Sequence, residues 1–162
     1  MLRISKLTDY GVVVMTHLAR EPEAVQTAAA VADALNLAQP TVSKLLKSFT
    51  RAGLLRSYRG TQGGYQLGRR PAAISVLEVI DAVEGRLALT ECSAGVGSCL
   101  QEEGCALRGN WTLINGVVRQ ALQGVSLAQM TRPLHQGEVA VPLQAMLAAP
   151  AVAWRSARQA EE

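Results

Sequence analysis

Apolar residues recur at helical spacing from the start of the chain, and this pattern predicts a first helix. The repeating positions are Leu7, Gly11, Val14 and Leu18. They place a helix over about residues 8–20, which ends at the Glu-Pro-Glu sequence 21–23. Thr8 is the expected N-cap, and Asp9 lies in the first turn, where the positive end of the helix dipole favours a negative charge.

Two more short helices follow. Thr27 is the expected cap of a helix over residues 28–35, and a third helix opens at Gln39 and Pro40, since proline is tolerated at the start of a helix. The apolar face of this third helix is formed by Val42, Leu45, Leu46 and Phe49. Gly53 is the expected C-terminal stop.

A hairpin is predicted next. Residues 54–59 and 65–67 have strand character, and the turn 60–64 between them contains three glycines, which turn geometry alone explains. Three helices followed by a hairpin is the order of a winged helix. The predicted fold class is therefore mostly α with a small β-hairpin wing: a winged helix-turn-helix domain joined to a long dimerisation helix.

The C-terminal half contains two further helical patterns. Ser75 caps a fourth helix that ends at Gly85. The second pattern has a spacing of 4-3-4-3-4 at Leu107, Trp111, Ile114, Val118, Ala121 and Val125. This is the 3.5-residue repeat of a helix that pairs with another helix, which predicts a dimerisation helix. Gly116 within it costs about 1 kcal/mol of helix propensity or permits close approach of a partner.

Charge is distributed unevenly along the chain. Residues 1–70 carry ten Lys and Arg against four Asp and Glu, whereas residues 71–162 carry six against nine. A basic N-terminal half suits a polyanion such as DNA. The N-terminus lacks the hydrophobic run of a signal peptide, and residues 139–154 are too interrupted to cross a membrane. We therefore expect a cytoplasmic protein with neither a membrane partner nor a small-molecule substrate.

The predicted DNA contacts lie on the third helix and the wing. A helix in the major groove reads bases with outward-facing residues near its N-terminus, and arginine on a narrow loop enters the minor groove. The candidates are Gln39, Thr41, Ser43, Lys44 and Lys47 on the helix, Arg56 and Arg59 on the wing, and Arg69 and Arg70 after it. Each residue alone is equally well explained as solvated surface, but the basic half and the helix–wing order agree.

All three cysteines of the chain fall within fourteen residues, in a glycine-rich segment that predicts a loop. Cys92, Cys99 and Cys105 are spaced C-x6-C-x5-C. In a reducing compartment an odd trio of thiols is a metal-ligand set or a redox sensor rather than a disulfide framework. Zinc and a thiol switch both remain open, although structural zinc usually takes a fourth Cys or His. His17 fits a partly buried helix position, and His135 lies near the tail.

Four segments resemble the family of winged-helix regulators that includes IscR and NsrR. They are Met1-Leu-Arg-Ile-Ser-Lys-Leu-Thr-Asp-Tyr-Gly11, Arg59-Gly-Thr-Gln-Gly-Gly-Tyr65, Ile74-Ser-Val-Leu-Glu-Val-Ile80 and Ser126-Leu-Ala-Gln-Met130. The last resembles the end of the family's dimer helix. The likeness covers residues 1–133 and is greatest to the branch that regulates the SUF iron–sulfur assembly system.

The resemblance implies a homodimer that binds an iron–sulfur cluster, with [2Fe-2S] favoured over [4Fe-4S], and a two-fold-related DNA operator. Cys92, Cys99 and Cys105 match the family's three ligands, with one extra residue in the first interval. Arg108 replaces the histidine that some members use, and Asp9 matches the position from which a partner subunit supplies the fourth ligand in others. The implied function is a repressor of iron–sulfur assembly or redox-stress genes.

Other functions remain open at this point: a nitric-oxide-sensing repressor, or a cluster-free transcription factor that depends on thiols or zinc. An enzyme is not expected, because no histidine lies near the cysteines in sequence and no nucleotide-binding loop is present. The expected domains are a winged helix over 1–85, a cysteine loop over 86–106, a dimerisation helix with its following segment over 107–134, and a disordered tail over 135–162.

Overall fold

The computed structural model of the chain describes residues 4–60, 63–95, 97–101 and 104–132. The predicted tail and His135 lie outside these residues. The elements in chain order are α1 (Lys6–Arg20), α2 (Ala28–Leu35), α3 (Gln39–Arg51), β1 (Leu55–Tyr58), β2 (Gly64–Leu67), a 3-10 turn (Pro71–Ala73), α4 (Val76–Glu84), α5 (Glu91–Ala94), α6 (Arg108–Gln123) and α7 (Leu127–Met130). None of these helices is long and apolar enough to span a membrane.

The first helix starts earlier than the sequence pattern predicts. Ser5, not Thr8, is its N-cap: the Ser5 hydroxyl accepts a hydrogen bond from the Thr8 backbone N–H at 3.1 Å. Thr8 is only 1% exposed, because it lies on the face that packs into the molecule. The prediction of Thr8 as the cap was therefore wrong, whereas the predicted apolar face is confirmed, with Gly11, Val14 and Leu18 all buried.

The three N-terminal helices and the hairpin enclose one core. Its fully buried side chains include Val14, Met15, Val31, Val42, Leu46, Phe49, Ile74 and Val79. The predicted caps at Thr27 and Ser75 are confirmed, and Asn36 ends α2 in the left-handed conformation at φ 51°. Because α3 buries its whole predicted apolar face, its two lysines, Lys44 and Lys47, are exposed.

One residue outside the hairpin, Gln26, pairs with the second strand of the wing, which the sequence pattern did not predict. β1 and β2 pair antiparallel, and Gln26 pairs with Tyr65 through two backbone hydrogen bonds of 2.8 and 2.9 Å. A Cβ atom on Gly64 would lie 2.6 Å from the Gln26 carbonyl oxygen, and one on Gly63 would lie 2.6 Å from the Tyr58 carbonyl oxygen. Both glycines are therefore required by close backbone approach and not only by the turn.

The fourth helix connects the N-terminal core to the C-terminal half. A capping box at Ser75 and Glu78 starts α4, which packs against α1, α3 and α6. Its buried side chains are Val76, Leu77, Val79 and Ile80. The helix stops at Gly85, whose φ of 85° suits glycine, as predicted.

The end of the chain that the structure describes returns to the core. α6 stops at Gln123, and α7 is a separate helix capped by Ser126 rather than the end of the long helix that the resemblance implied. Leu127 is fully buried, and its N–H donates to the Ile74 carbonyl at 2.9 Å. This packing, which joins residues distant in sequence, breaks the helical repeat after position 123.

We expect Gly64→Ala to lower the free energy of unfolding by about 1–3 kcal/mol, because the new methyl group meets the rigid backbone of Gln26. Denaturant unfolding of purified protein measures the change. Gly109→Ala on α6 is the control, since its Cβ meets nothing and its helix propensity improves by up to about 1 kcal/mol. If Gly64→Ala were as stable as wild type, the backbone of β2 would not be in close contact with the backbone of Gln26.

Candidate nucleic-acid interface and cysteine segment

α3 is the predicted recognition helix, and it carries the five polar residues predicted to contact DNA. Gln39, Lys44 and Lys47 are exposed, whereas Thr41 and Ser43 are half-buried. The N-cap residue is Ala38, which makes no side-chain cap bond to the first turn. The N-cap side chain therefore does not occupy the positive end of this helix, which favours an approaching phosphate, and two exposed lysines follow further along the helix.

The wing adds two exposed arginines. Arg56 lies on β1, and Arg59 precedes Gly60, whose φ is 102°. Residues 61–62 at the tip lie outside the described part of the chain. Tyr58 donates to the Gln66 amide oxygen at 2.8 Å, and the Gln66 amide donates to the Glu23 carbonyl at 2.8 Å. These bonds hold the hairpin against the loop after α1.

Arg69, another predicted DNA contact, already has partners within the protein. Its guanidinium lies 2.6 Å from Glu78 and donates to the Ala73 carbonyl at 3.1 Å. Burial of the Glu78 carboxyl acts to raise its pKa, but hydrogen bonds from Ser75 and Arg69 outweigh it and hold the pKa below its ordinary value. A phosphate contact by Arg69 would compete with this ion pair.

The three cysteines are distributed along one segment and are free and half-buried. The sequence pattern predicted a loop for Cys92, but this residue lies in the single turn of α5, which packs against α6. Its sulfur lies 3.2 Å from the Thr90 hydroxyl. Among the described residues no three His, Cys, Asp or Glu side chains are arranged to hold a metal ion. The segment thus contains a suitable donor set, whose sulfurs are not gathered around one point.

Asp9 is exposed in the first turn of α1, where it lines an open depression with Ile4, Ser5 and Lys6. His17, as expected, is a half-buried helix residue; its ring nitrogen Nε2 lies 3.0 Å from the Gln26 amide oxygen. The structure therefore places Asp9 at the surface of its own subunit, accessible to a second chain.

A carboxylate that the sequence analysis missed joins the start of α1 to the end of α4. The hydroxyls of Ser5 and Thr8 both donate to Glu84. These bonds hold the pKa of the Glu84 carboxyl below its ordinary value, against a smaller opposing effect of burial. At pH values above the ordinary pKa of a glutamate, the ionised Glu84 therefore stabilises the fold. This contribution to stability is lost as the pH falls through the lower pKa of the folded state. No local pattern pairs residues so far apart in sequence.

Beside Glu84 lies an apolar groove of about 530 Å³ between α1, α4, residues 86–89 and α6. Val118, predicted to face a second subunit, lines this groove together with Leu122. The half of α6 that includes Val118 therefore faces its own chain.

The N-terminal half of α6 carries an exposed apolar face. Leu107, Trp111 and Ile114 were predicted, and the structure adds Leu113 and Val117, which are 63% and 42% exposed. Ala121 is half-buried. Leu113 and Val117 are not positions of the 3.5-residue repeat, so the sequence pattern did not identify them. They lie beside the repeat positions on the helix surface, on the side away from the groove. Exposed apolar area of this kind marks an interaction surface.

Comparison with known proteins establishes the family. Residues 4–133 match the model of Rrf2, described as an iron-dependent transcriptional regulator. The chain belongs to the Rrf2 family. It is 30% identical over 130 residues to the HTH-type transcriptional regulator CymR of Bacillus subtilis, a match that covers 80% of this chain and 89% of CymR. It is 26% identical over 110 residues to the HTH-type transcriptional regulator NsrR of Shouchella clausii, covering 67% and 74%.

Solved structures agree with this assignment. The structure of B. subtilis CymR, described as the global cysteine regulator, gives a TM-score of 0.65 at 31% identity and covers 81% of this chain and 97% of CymR. T. potens IscR gives 0.61 at 28% identity, covering 80% and 85%. This Rrf2 protein is therefore a winged-helix transcriptional regulator that binds DNA, and the family confirms that it is not an enzyme.

We expect Lys44→Ala and Arg59→Ala each to weaken binding to operator DNA, because each removes an exposed positive charge from the recognition helix or the wing. Each lost phosphate contact should also reduce the slope of log affinity against log salt by about 0.9. Fluorescence anisotropy across a salt series measures both. Arg132→Ala removes the same charge after α7 and is the control. Unchanged affinity and slope in both test variants would contradict the proposed DNA surface.

Proposed function

We propose that this Rrf2 protein is a homodimeric repressor that binds an iron–sulfur cluster through Cys92, Cys99 and Cys105 and controls iron–sulfur assembly (SUF) or redox-stress genes by cluster state. One observation carries the proposal: the chain's only three cysteines are free and half-buried on one segment between the DNA-binding core and α6. That the matching family is described as iron-dependent supports it.

The donor chemistry of the segment fits such a group, since thiolates are the usual ligands of iron–sulfur clusters. When bound, the cluster would supply a site that responds to oxidants, nitric oxide or iron supply. Cys92 on α5 would anchor it, while Cys99 and Cys105 lie in less regular backbone that can draw toward Cys92. Cluster type stays a proposal, with [2Fe-2S] favoured over [4Fe-4S].

Asp9 of a second subunit is the proposed fourth ligand. It is exposed and close to the N-cap of α1, and the described residues offer no histidine near the cysteines. A weakly bound fourth ligand suits a sensor, because the bond between this ligand and the cluster can break before the cluster itself is lost. A ligand from the partner would link the DNA-binding core of one subunit to the cysteine segment of the other.

The homodimer rests on the exposed apolar face of α6. Burying Leu113, Ile114 and Val117 against the same residues of a second copy gives an isologous two-fold interface. Fully burying side chains of this size contributes about 1.5–3 kcal/mol each. A two-fold dimer presents two recognition helices, which suits a two-fold-related operator with half-sites about one helical turn apart or a multiple of it.

A cluster-free regulator that responds through its thiols is the second candidate. The likeness to CymR, which is described as a cysteine regulator, favours it, as does the contact between Cys92 and Thr90. A nitric-oxide-sensing repressor and a zinc-dependent factor complete the alternatives. Metal and sulfide analysis separates the cluster proteins from the cluster-free ones.

Protein isolated without oxygen should be coloured and contain iron and acid-labile sulfide in matching amounts. Cys92→Ala, Cys99→Ala and Cys105→Ala should each lose most of the iron, because each removes one thiolate anchor. Ser98→Ala, in the same segment, is the matched control and should retain it. Colourless wild-type protein with stoichiometric zinc and no sulfide would reject the cluster.

The identity of the fourth ligand is tested on protein isolated in the same way. Asp9→Ala should keep the fold and the dimer, alter the visible absorption spectrum or lifetime of the cluster, and shrink the difference in DNA affinity between loaded and iron-stripped protein. If spectrum, lifetime and DNA response all match wild type, Asp9 only complements the dipole of its own helix.

Ile114→Asp should convert the dimer to monomer and abolish tight operator binding, because it places an unpaired charge in the apolar face. Sedimentation at fixed protein concentration measures the mass. Thr112→Asp introduces the same charge on an exposed position of α6 away from this face and should remain dimeric. A dimeric Ile114→Asp protein with wild-type DNA affinity would place the interface elsewhere.

A further inference from the structure

Three functional parts of the chain meet at one polar cluster, which we call the Asp81 node: Asp81, Leu87, Leu89, Asn115 and Arg119. Asp81 of α4 accepts from the Leu87 N–H at 2.8 Å and from the Arg119 guanidinium at 3.1 and 2.9 Å. Arg119 also donates to the Leu87 carbonyl at 3.3 Å, and Asn115 accepts from the Leu89 N–H at 3.1 Å. The node thus joins α4, residues 87–89 and α6.

The environment of the node makes these bonds sensitive to displacement. Asn115 is 6% exposed and is the one buried residue of α6. The side chains of Arg119 and Asp81 are 22% and 28% exposed. A shift of residues 87–89 would leave a buried amide and two backbone N–H groups without partners, which is costly in a partly dehydrated site. The node therefore favours one position of this segment over intermediate ones.

On one side the node leads directly to the cysteines. Leu89 is followed by Thr90, whose hydroxyl contacts both the Cys92 sulfur at 3.2 Å and the Ser93 hydroxyl at 2.9 Å. Any movement of α5 that brings Cys92 toward the other two cysteines must pull on the backbone that Asn115 and Asp81 hold.

On the other side the node leads to the recognition helix. Ala82, the residue after Asp81, accepts at its carbonyl a hydrogen bond of 2.6 Å from the Ser48 hydroxyl of α3. Val83 lies against Gly11 of α1, where an added Cβ would be 3.1 Å from its side chain. A tilt of α4 is therefore passed to the helix that carries Lys44 and Lys47 without any intervening loop.

We propose that Asn115 and Arg119 are positioning residues, which hold residues 87–89 against Asp81 and so transmit the state of the cysteine segment through α4 to the recognition helix. This inference rests on the proposed function, in that the cysteines are the sensing site. It assigns the transmission to a polar contact within one subunit, separate from the apolar dimer face and from Asp9.

The test compares operator affinity of loaded and iron-stripped protein in wild type, Arg119→Met and Asn115→Leu. Coupling between two sites is typically 5–150-fold, and we expect it to fall to less than about twofold in both variants, with the affinity of the stripped form retained. Iron and sulfide contents should stay at wild-type values. Gln120→Ala, an exposed change on the same helix, is the control and should keep the wild-type ratio.

Amide hydrogen exchange supplies a readout that a purely structural role would not move. Exchange at Leu87 and Leu89 should differ between the loaded and stripped forms of wild type, and this difference should vanish in Arg119→Met. A wild-type affinity ratio in both variants, or loss of iron from either of them, would overturn the inference. If iron were lost, the node would only support the structure of the cysteine segment and would not transmit its state.

Failure of the cluster proposal is recognised separately, by absence of iron and sulfide from wild type. The node is then tested with iodoacetamide, by comparing DNA affinity with free and with alkylated cysteines. A difference in wild type that Arg119→Met abolishes supports the node; an equal difference in both, or none in wild type, refutes it. If Arg119→Met does not fold, Arg119→Lys replaces it, because lysine keeps the charge but cannot bridge both Asp81 oxygens.

Discussion

The burial of α4 against α1, α3 and α6 is the constraint on which the rest of the structure depends. This single short helix provides core contacts through Val79 and Ile80 and accepts the Ser48 hydroxyl of α3 at the Ala82 carbonyl. It also carries Asp81, which pairs with Arg119 of α6, and Glu84, which accepts from the Ser5 and Thr8 hydroxyls at the start of α1. Because close-packed interiors shift between discrete arrangements rather than deform smoothly, such a helix moves as a unit. The surface of α3 and the segment that leads to the cysteines are both attached to this helix.

The polar contacts around α4 differ in kind from those of the DNA surface. On α3 and the wing the exposed Lys and Arg side chains act over a distance and suit a solvated polyanion. At the end of α4 the charges are bonded to groups of the protein itself. Asp81 and Arg119 form a partly enclosed pair, and the exposed Glu84 accepts hydrogen bonds from the Ser5 and Thr8 hydroxyls. The first set consists of exposed charges that suit contact with a polyanion, whereas the second set joins α4 to the elements packed against it.

The cysteine segment follows a different physical logic. It contributes no buried apolar side chain to the core among its described residues, and its thiols are only half-enclosed. A segment with few packing contacts can rearrange at little cost, and that property suits a site which must take up and release a ligand. α5, packed against α6, and the hydrogen bonds at Leu87 and Leu89 limit where such a rearrangement begins.

The sequence by itself determined the local structure and much of the chemistry. Helical periodicity, the caps at Thr27 and Ser75 and the glycine turn are short-range signals, so the winged-helix order followed from them, and so did the cysteine trio and the basic face of α3. The tertiary structure alone decided which residues distant in the chain touch: Glu84 with Ser5, Arg119 with Asp81, Gln26 with Tyr65 and Leu127 with the core. It also divided α6 into a face toward its own chain and an exposed face with Leu113 and Val117. A periodic pattern shows that a helix has an apolar face, but only packing shows which part of that face the chain itself covers.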